Sequence, residues 1–242
     1  MRFRCLVMDH DDTTVNSTAT IHFPSFLAYL KLVRPEASYT LEDYFRKNFD
    51  PGIMALFTGE LGFSEEELEG EFRFWQDWVR TRVPSAYPGI CEILRRHKDA
   101  GGYIAVVSHS MRGSIERDYR ENDLPEPDII FGWEQPPEQR KPNTWPLEQI
   151  MAKYGYTQSQ LLVVDDMKPA WEMARSAGVP IAFAGWGRTD CPEITEEMTR
   201  LCDFSFASTK DLEQFLFDEV ERWQNRQFSP CWLWCPTAAA IF

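Results

Sequence analysis

The sequence lacks any apolar stretch long enough to cross a membrane. No apolar run approaches the ~20 consecutive residues that a membrane-spanning helix needs. The first residues, from Arg2 to Met8, form a strand-like run without the basic segment, long apolar core and cleavage site of a signal peptide. We therefore expect a soluble, cytoplasmic protein with no membrane partner.

Basic residues are also scarce. The 242 residues contain 25 Lys and Arg against 38 Asp and Glu, which gives a formal net charge of −13. A nucleic-acid backbone is bound through clustered Lys and Arg, so this balance disfavours nucleic acid as a partner. The hydrophobic share of 43% indicates a folded chain, with room for one large domain or for a core with a smaller insertion.

The six cysteines are scattered, and without a secretion signal they favour reduced thiols over a disulfide framework. Only Cys231 and Cys235 are close together. Their CWLWC spacing has no second pair and no neighbouring His, so we interpret it as packing of an aromatic C-terminal segment, residues 228–242, rather than as a zinc site. We assign no further role to that segment.

Short apolar runs of strand length alternate with helical patterns. The predicted strands are Cys5–Met8, Tyr103–Val107, Ile129–Phe131, Leu161–Val164 and Ile181–Ala184, and the helices between them are Gly89–Ala100, Gly113–Asn122, Leu147–Tyr154 and Ala170–Ala177. This alternation predicts βαβ units, and hence an α/β fold with a Rossmann-like parallel sheet covered on both faces.

The region from Thr20 to Ser85 breaks the alternation, because it contains helical patterns and no convincing strand. The predicted helices are Pro24–Val33, Thr40–Asn48, Gly52–Leu61 and Ser64–Arg82. Ser64 followed by Glu67 is a capping box. We predict an all-helical module inserted after the first strand, whose return to the core is marked by Pro84, Pro88 and Gly89.

Polar residues follow three of the predicted strands, where the reactive groups of a parallel sheet are expected. The first strand runs into Asp9-His10-Asp11-Asp12-Thr13, although an acidic loop taken alone fits a solvated turn as well as a catalytic site. The second strand is followed by Ser108, which could bind a phosphate oxygen or cap the next helix.

Two later positions add charge to the same pattern. Lys141 precedes a helix and offers the fixed ammonium that a phosphoryl group requires, although a lone loop lysine is most often solvated. The strand Leu161–Val164 runs into Asp165-Asp166, a pair that is costly unless a cation neutralises it and that suits Mg²⁺.

In this order the acidic cluster, the serine, the lysine and the acidic pair resemble the haloacid dehalogenase-like hydrolase superfamily. The first loop, Asp9 to Thr13, fits its DxDx(T/V) motif, and the resemblance covers nearly the whole chain apart from the C-terminal segment. Tyr87-Pro88-Gly89, Lys141-Pro142 and the run from Ala174 to Gly178 are similar to the subgroup containing phosphoglycolate phosphatase and β-phosphoglucomutase. The resemblance implies that residues 20–85 are a cap domain on a discontinuous core of residues 1–19 and 86–242.

The resemblance also implies a function: a magnesium-dependent phosphohydrolase that acts on a small phosphorylated metabolite through an aspartyl-phosphate. Asp9 would be the nucleophile and Asp11 the general acid and base. Ser108, Lys141 and Thr13 would bind the phosphate. The side chains of Asp9, Asp165 and Asp166 and the backbone carbonyl of Asp11 would hold Mg²⁺.

The sequence departs from the family pattern at two positions. Asp12 stands where the family usually has glycine, and since Asp tolerates unusual backbone angles better than most residues, we expect the turn to be retained. Ala170 stands where some members carry a further Asp, which fits the adjacent-acid version of the motif. His10 and His109 flank the motifs and could touch substrate, although we interpret them as ordinary loop residues.

Two alternative functions remain open. A phosphosugar mutase is indicated by His22, which lies near the position where such mutases have a hinge histidine. A non-catalytic binding protein on the same fold would lack the nucleophile or the acidic pair, and this sequence retains both. No pattern fixes the oligomeric state, for which a monomer is the working expectation.

Substrate specificity is expected to come from the cap. Its candidate contacts are Arg46, Lys47, Trp75, Trp78, Arg80 and Arg82. Helical spacing favours a core position for the two tryptophans, and Arg80 and Arg82 fit a solvated surface.

Overall fold

A six-stranded parallel sheet forms the centre of the molecule in a computed structural model, which describes residues 2–217. Its strands are β1 (Cys5–Met8), β2 (Tyr103–Val107), β3 (Ile129–Phe131), β4 (Leu161–Asp165), β5 (Ile181–Ala184) and β6 (Phe204–Phe206). Their order is β3-β2-β1-β4-β5-β6, and every neighbouring pair is parallel. The predicted α/β class with a parallel sheet is confirmed, and β6 is an edge strand that the sequence pattern did not predict.

The central strands are continuous apolar runs because both faces of the sheet are covered. Successive side chains point to opposite faces. Leu6 and Met8 of β1 therefore belong to one apolar cluster, with residues of the helices on that side, whereas Cys5 and Val7 belong to the cluster on the other side. All four are buried.

Five helices lie between successive strands in the chain and pack around the sheet. They are α5 (Ile90–Asp99), α6 (Arg112–Glu121), α7 (Trp145–Tyr154), α8 (Lys168–Ala177) and α9 (Pro192–Leu201). Side chains of α5 and α6 pack on one face, together with those of a further helical segment, residues 209–217. Side chains of α7 and α8 pack on the other face.

The helices between β1 and α5 form a separate apolar cluster. They are α1 (Phe23–Val33), α2 (Leu41–Phe49), the short α3 (Ile53–Ala55) and α4 (Glu65–Arg80), with π-helical turns at Thr18–His22 and Leu56–Glu60. Phe26, Tyr44 and Phe57 lie at the centre of this cluster, with ring centroids of Phe26 5.0 Å from Tyr44 and 6.0 Å from Phe57. The Ser64 capping box is present at the start of α4.

Two connecting segments run side by side where these helices join the sheet domain. The Asn16 N–H donates to the Ser85 carbonyl at 2.9 Å, and the Tyr87 N–H donates to the Thr14 carbonyl at 3.0 Å. At a second contact, Phe45 and Phe49 of α2 pack with residues of α9. The helical insertion is therefore joined to the sheet domain by paired segments and also rests on it through aromatic side chains.

The described residues, 2–217, include no candidate membrane-spanning helix and four of the six cysteines. No helix there is both long and apolar enough to cross a membrane. Cys5, Cys91, Cys191 and Cys202 are free thiols. The interpretation of Cys231, Cys235 and residues 228–242 concerns a segment outside the described residues.

Candidate active site

The register of the sheet brings the predicted polar residues together at one edge. Met8 of β1 is aligned with Val106 of β2 on one side and with Val164 of β4 on the other. The residues that follow these strands, including Asp9 and Asp165, therefore meet at the carboxyl ends of adjacent strands. This edge is where the site is built.

Lys141 joins two of these carboxylates. Its Nζ lies 2.8 Å from Asp9 Oδ1 and 2.7 Å from Asp165 Oδ2, and all three side chains are buried. Burial would lower the pKa of Lys141, but the two carboxylates outweigh it and hold the pKa above its usual range. Lys141 is thus buried and paired at this edge, not the solvated lysine that its loop position alone allowed.

The acidic residues at this edge have the donor chemistry of a hard cation site. One carboxylate oxygen from each of Asp9, Asp165 and Asp166 lies within 4.8 Å of the others. Burial, with the neighbouring carboxylates, raises the pKa of Asp166 to about 7 and that of Asp9 well above its usual value. A cluster that is this costly to ionise fits a bound divalent cation, and oxygen donors are those that Mg²⁺ prefers.

Asp11 is held by three side chains. Its Oδ2 accepts a hydrogen bond from Ser110 at 2.6 Å, and its Oδ1 accepts one from Ser17 at 2.7 Å and lies 3.0 Å from His22 Nε2. Burial would raise the pKa of Asp11, but His22 and Ser110 outweigh it and hold the pKa below its usual range. In this arrangement Asp11 is ionised.

His22 is in turn oriented by Trp75. The indole N–H of Trp75, which can only donate, donates to His22 Nδ1 at 3.0 Å. Burial lowers the pKa of His22, and Asp11 raises it above its usual value. Because Nδ1 is an acceptor here, the imidazole proton lies on Nε2, toward Asp11.

Asp12, at the position where the resemblance expects glycine, adopts a left-handed conformation, with φ of 57°. Its Oδ1 accepts from the Thr18 N–H at 3.0 Å, and its Oδ2 lies 2.9 Å from Arg188 Nη1. Arg188, buried among these groups, also pairs with Asp166. A Cβ at Gly187 would lie 2.1 Å from the Asp12 carbonyl oxygen, so that position admits only glycine.

Arg188 was not predicted from the sequence. It comes directly after the 3-10 turn Gly185–Gly187 that follows β5, in a segment that carries no recognised motif. The available signal was Asp12 itself, because an extra buried carboxylate in the first loop requires a compensating cation.

The other predicted residues occupy distinct places. Ser108 is buried at the cleft, and its Oγ accepts from the Ser110 N–H at 3.1 Å. Thr13 is fully buried and its hydroxyl donates to Asp166 Oδ1 at 3.2 Å, so its phosphate contact stays a prediction. His10 does not line the cleft, and it is buried with Nε2 3.1 Å from Asp118. His109 lines the cleft with Nε2 3.1 Å from the Lys141 carbonyl oxygen.

A cleft of about 490 Å³ lies between this edge of the sheet and the inserted helices. Its sheet side is lined by Asp9, Asp11, Ser108, Lys141, Asp166 and Arg188. Its helical side is lined by Tyr44, Met54, Phe57, Glu71, Phe72 and Trp75. The candidate catalytic groups therefore open onto a space large enough for a small organic phosphate.

Most of the cap residues that the sequence offered as candidate substrate contacts do not line the cleft. Arg46 pairs with Glu42 and Glu193, and Lys47 pairs with Glu60. Arg80 is an exposed partner of Asp77, and Arg82 lies over the ring of Trp78. Trp75 is the exception, because it lines the cleft and does not sit wholly within the helical core.

Comparison with known proteins identifies the family. The family model described as haloacid dehalogenase-like hydrolase matches residues 6–184, so the chain belongs to this family, as the resemblance implied. No curated protein matches the sequence.

Solved structures share the fold at low identity. The predicted phosphoglycolate phosphatase of Haemophilus somnus 129PT is 18% identical, with a TM-score of 0.68 over 89% of this chain and 99% of that one. A haloacid dehalogenase-like family protein of Streptococcus pneumoniae is 15% identical, with a TM-score of 0.71 over 89% and 99%. A family hydrolase of Deinococcus radiodurans R1, with bound phosphate and sodium, is 18% identical, with a TM-score of 0.67 over 90% and 97%.

Proposed function

We propose that this family hydrolase is a magnesium-dependent phosphoric monoester hydrolase that acts on a small phosphorylated metabolite through an aspartyl-phosphate on Asp9. The observation that supports this most is the buried Lys141 ammonium, in contact with both Asp9 and Asp165 at the carboxyl ends of neighbouring strands. Such a cation orients the nucleophile and offers charge to a phosphoryl group beside it.

Asp9 is the nucleophile in this proposal. Its carboxylate oxygen forms a bond to phosphorus as the bond from phosphorus to the leaving oxygen breaks, which divides one difficult displacement into two easier ones. Lys141 opposes the rise that burial causes in the pKa of Asp9 and, with the Ser108 hydroxyl, binds the phosphoryl oxygens. Water then attacks the same phosphorus and releases Asp9.

Asp11 moves the protons. Held ionised by Ser110 and His22, it is set to take a proton from the attacking water. In the first step it must instead give a proton to the leaving oxygen. We infer that His22 supplies this proton as imidazolium, a state that requires Trp75 to withdraw from Nδ1.

Asp9, Asp165 and Asp166 would hold Mg²⁺ through their side chains, with the backbone carbonyl of Asp11. When bound, the ion neutralises the charge that carboxylates and phosphate bring together. Thr13 would orient Asp166 through its hydroxyl, in addition to its predicted contact with phosphate.

Residues 20–85 act as a cap in this proposal, on a core formed by residues 1–19 and 86–242. The paired connecting segments at Asn16 and Ser85 support these boundaries, because both chain crossings lie at one place. A cap joined in this way can move about its connections while the catalytic edge of the sheet stays fixed.

The test is phosphate release from phenyl phosphate and from phosphoglycolate, with and without Mg²⁺. We expect Mg²⁺-dependent release from at least one ester, and a loss on the order of 10³-fold or more in Asp9→Asn. Asp203→Asn is the matched control, because Asp203 accepts from the Ile181 N–H at the opposite end of β5. Undiminished release by Asp9→Asn would overturn the proposal.

The mutase alternative retains one supporting observation, the contact of His22 with Asp11 beside the cap connection. A mutase must also hold a second phosphate, which requires a cation on the cap side of the cleft. No lysine or arginine of the described cap residues lines it. Activation by a sugar bisphosphate without net phosphate release would favour the mutase.

A further inference from the structure

The cap side of the cleft is an apolar and aromatic wall. Met54 is 55% exposed and Phe72 is 37% exposed, and both line the cleft. Phe72 stacks on Trp75 with ring centroids 5.8 Å apart, and Tyr44 and Phe57 complete the surface. Large apolar side chains left open in a cleft indicate a surface that binds an apolar group.

The cleft has little cationic charge to spare for a second anion, and its His22 is already in contact with Asp11. Among its described lining residues the only lysine and arginine are Lys141 and Arg188. Lys141 is paired with two site carboxylates and Arg188 with two others. Lys141 serves the transferred phosphoryl group, so neither cation is placed to bind a second anion at the far end.

One polar residue in the wall opposes an anionic ligand. Glu71 of α4 lines the cleft next to Phe72, and burial raises its pKa to about 7. It is therefore neutral or negative near pH 7. Arg46 and Lys47 of the cap do not line the cleft and are paired with Glu42, Glu193 and Glu60.

We propose that the substrate is a phosphomonoester whose leaving group is uncharged and apolar or aromatic, with no second phosphate or carboxylate. The leaving group packs against Met54, Phe72 and Trp75 while its phosphate meets Asp9 and Lys141. This inference rests on the proposed phosphatase function, of which it names the substrate class.

The test compares two hydrolysis-resistant phosphonates that differ at the far end. Benzylphosphonate has the shape of phenyl phosphate, and 3-phosphonopropionate has the shape of phosphoglycolate. Calorimetric titration of the full-length protein in Mg²⁺ should show benzylphosphonate binding about tenfold more tightly or better, because the ring buries apolar surface. Equal affinity, or tighter binding of 3-phosphonopropionate, would overturn the inference.

A pair of charge variants locates the contact. Met54→Lys places a cation on the proposed wall, and it should shift the affinity ratio toward 3-phosphonopropionate by about threefold or more. Leu32→Lys is the matched control, because Leu32 is 70% exposed on the cap and does not line the cleft. An unchanged ratio in Met54→Lys, equal to that of Leu32→Lys, would also overturn the inference.

The two proposals fail in different experiments. If neither phosphate ester is hydrolysed, the phosphatase function is wrong, and the phosphonate titrations still report which ligand class the cleft prefers. If phosphoglycolate is hydrolysed in preference to phenyl phosphate, the phosphatase function stands and the substrate class is wrong.

Discussion

Replacement of Arg188 by methionine tests how much the charge balance of this site contributes to stability. Arg188 is 3% exposed and compensates the buried carboxylates of Asp12 and Asp166. Without it, Asp12 keeps the Thr18 N–H and Asp166 keeps the Thr13 hydroxyl, each a single hydrogen bond to a neutral donor. We expect the free energy of unfolding to fall by about 3–5 kcal/mol, the usual result of removing one partner of a buried ion pair.

The loss should depend on pH. In the folded protein the pKa of Asp166 is raised to about 7, so between its ordinary value and pH 7 the folded state binds more protons than the unfolded state. Stability therefore falls as pH rises through this window. Loss of Arg188 raises this pKa further, so the destabilisation should be largest at about pH 8 and smaller at about pH 5.

The measurement is urea unfolding of wild type and variant in the absence of Mg²⁺. Arg80→Met is the control, since its exposed ion pair with Asp77 should change stability by no more than about 0.5 kcal/mol. The double variant Asp12→Gly with Arg188→Met should recover part of the loss, because it removes one uncompensated carboxylate and glycine accepts the positive φ. A change below about 1 kcal/mol in Arg188→Met at about pH 8 would refute the reasoning.

Three further outcomes are expected. Mg²⁺ should raise the midpoint of urea unfolding more at about pH 8 than at about pH 5, because protonation of Asp166 competes with binding of the ion. An equal shift at both pH values would contradict the metal site. Trp75→Phe should raise the pKa of His22, as measured by NMR titration, because the indole N–H that holds Nδ1 as an acceptor is lost. An unchanged pKa would show that Trp75 does not set the tautomer. Phe26→Ala should lower stability by about 3–5 kcal/mol in urea unfolding, because it leaves a cavity among the cap rings, and a loss below about 1 kcal/mol would argue against a packed cap core.

The sequence predicted the parts of the fold in which local pattern and tertiary environment agree. The strands β1 to β5 are apolar runs because both faces of the sheet are buried, so each could be recognised alone. The edge strand β6 was missed because it has only three residues, which are partly buried, exposed and buried in turn, and so short a pattern cannot be distinguished from a loop. Helix α9 was also missed, although Pro192 at its start and the spacing of Ile194 and Met198 were available signals.

The site residues show the same difference between local sequence patterns, which could be recognised, and long-range contacts, which could not. Asp9, Asp165 and Lys141 could be named because each lies in a recognisable motif. Arg188 and the contact between His22 and Trp75 could not, because each joins residues far apart in sequence that no motif links: Arg188 meets Asp12 within the sheet domain, and His22 meets Trp75 within the cap. The apolar wall was likewise invisible, since helical spacing alone does not tell a cleft residue from a core residue.

The most direct test of the central claim is to trap the phosphorylated enzyme. Rapid acid quenching during turnover of phenyl phosphate, followed by peptide mass spectrometry, should show a phosphoryl group on the peptide containing Asp9. The label should be removed by hydroxylamine, as an acyl phosphate is, and should be absent in Asp9→Asn but present in Asp203→Asn. Phosphate release without such a label, or a label on another residue, would contradict Asp9 as the covalent nucleophile.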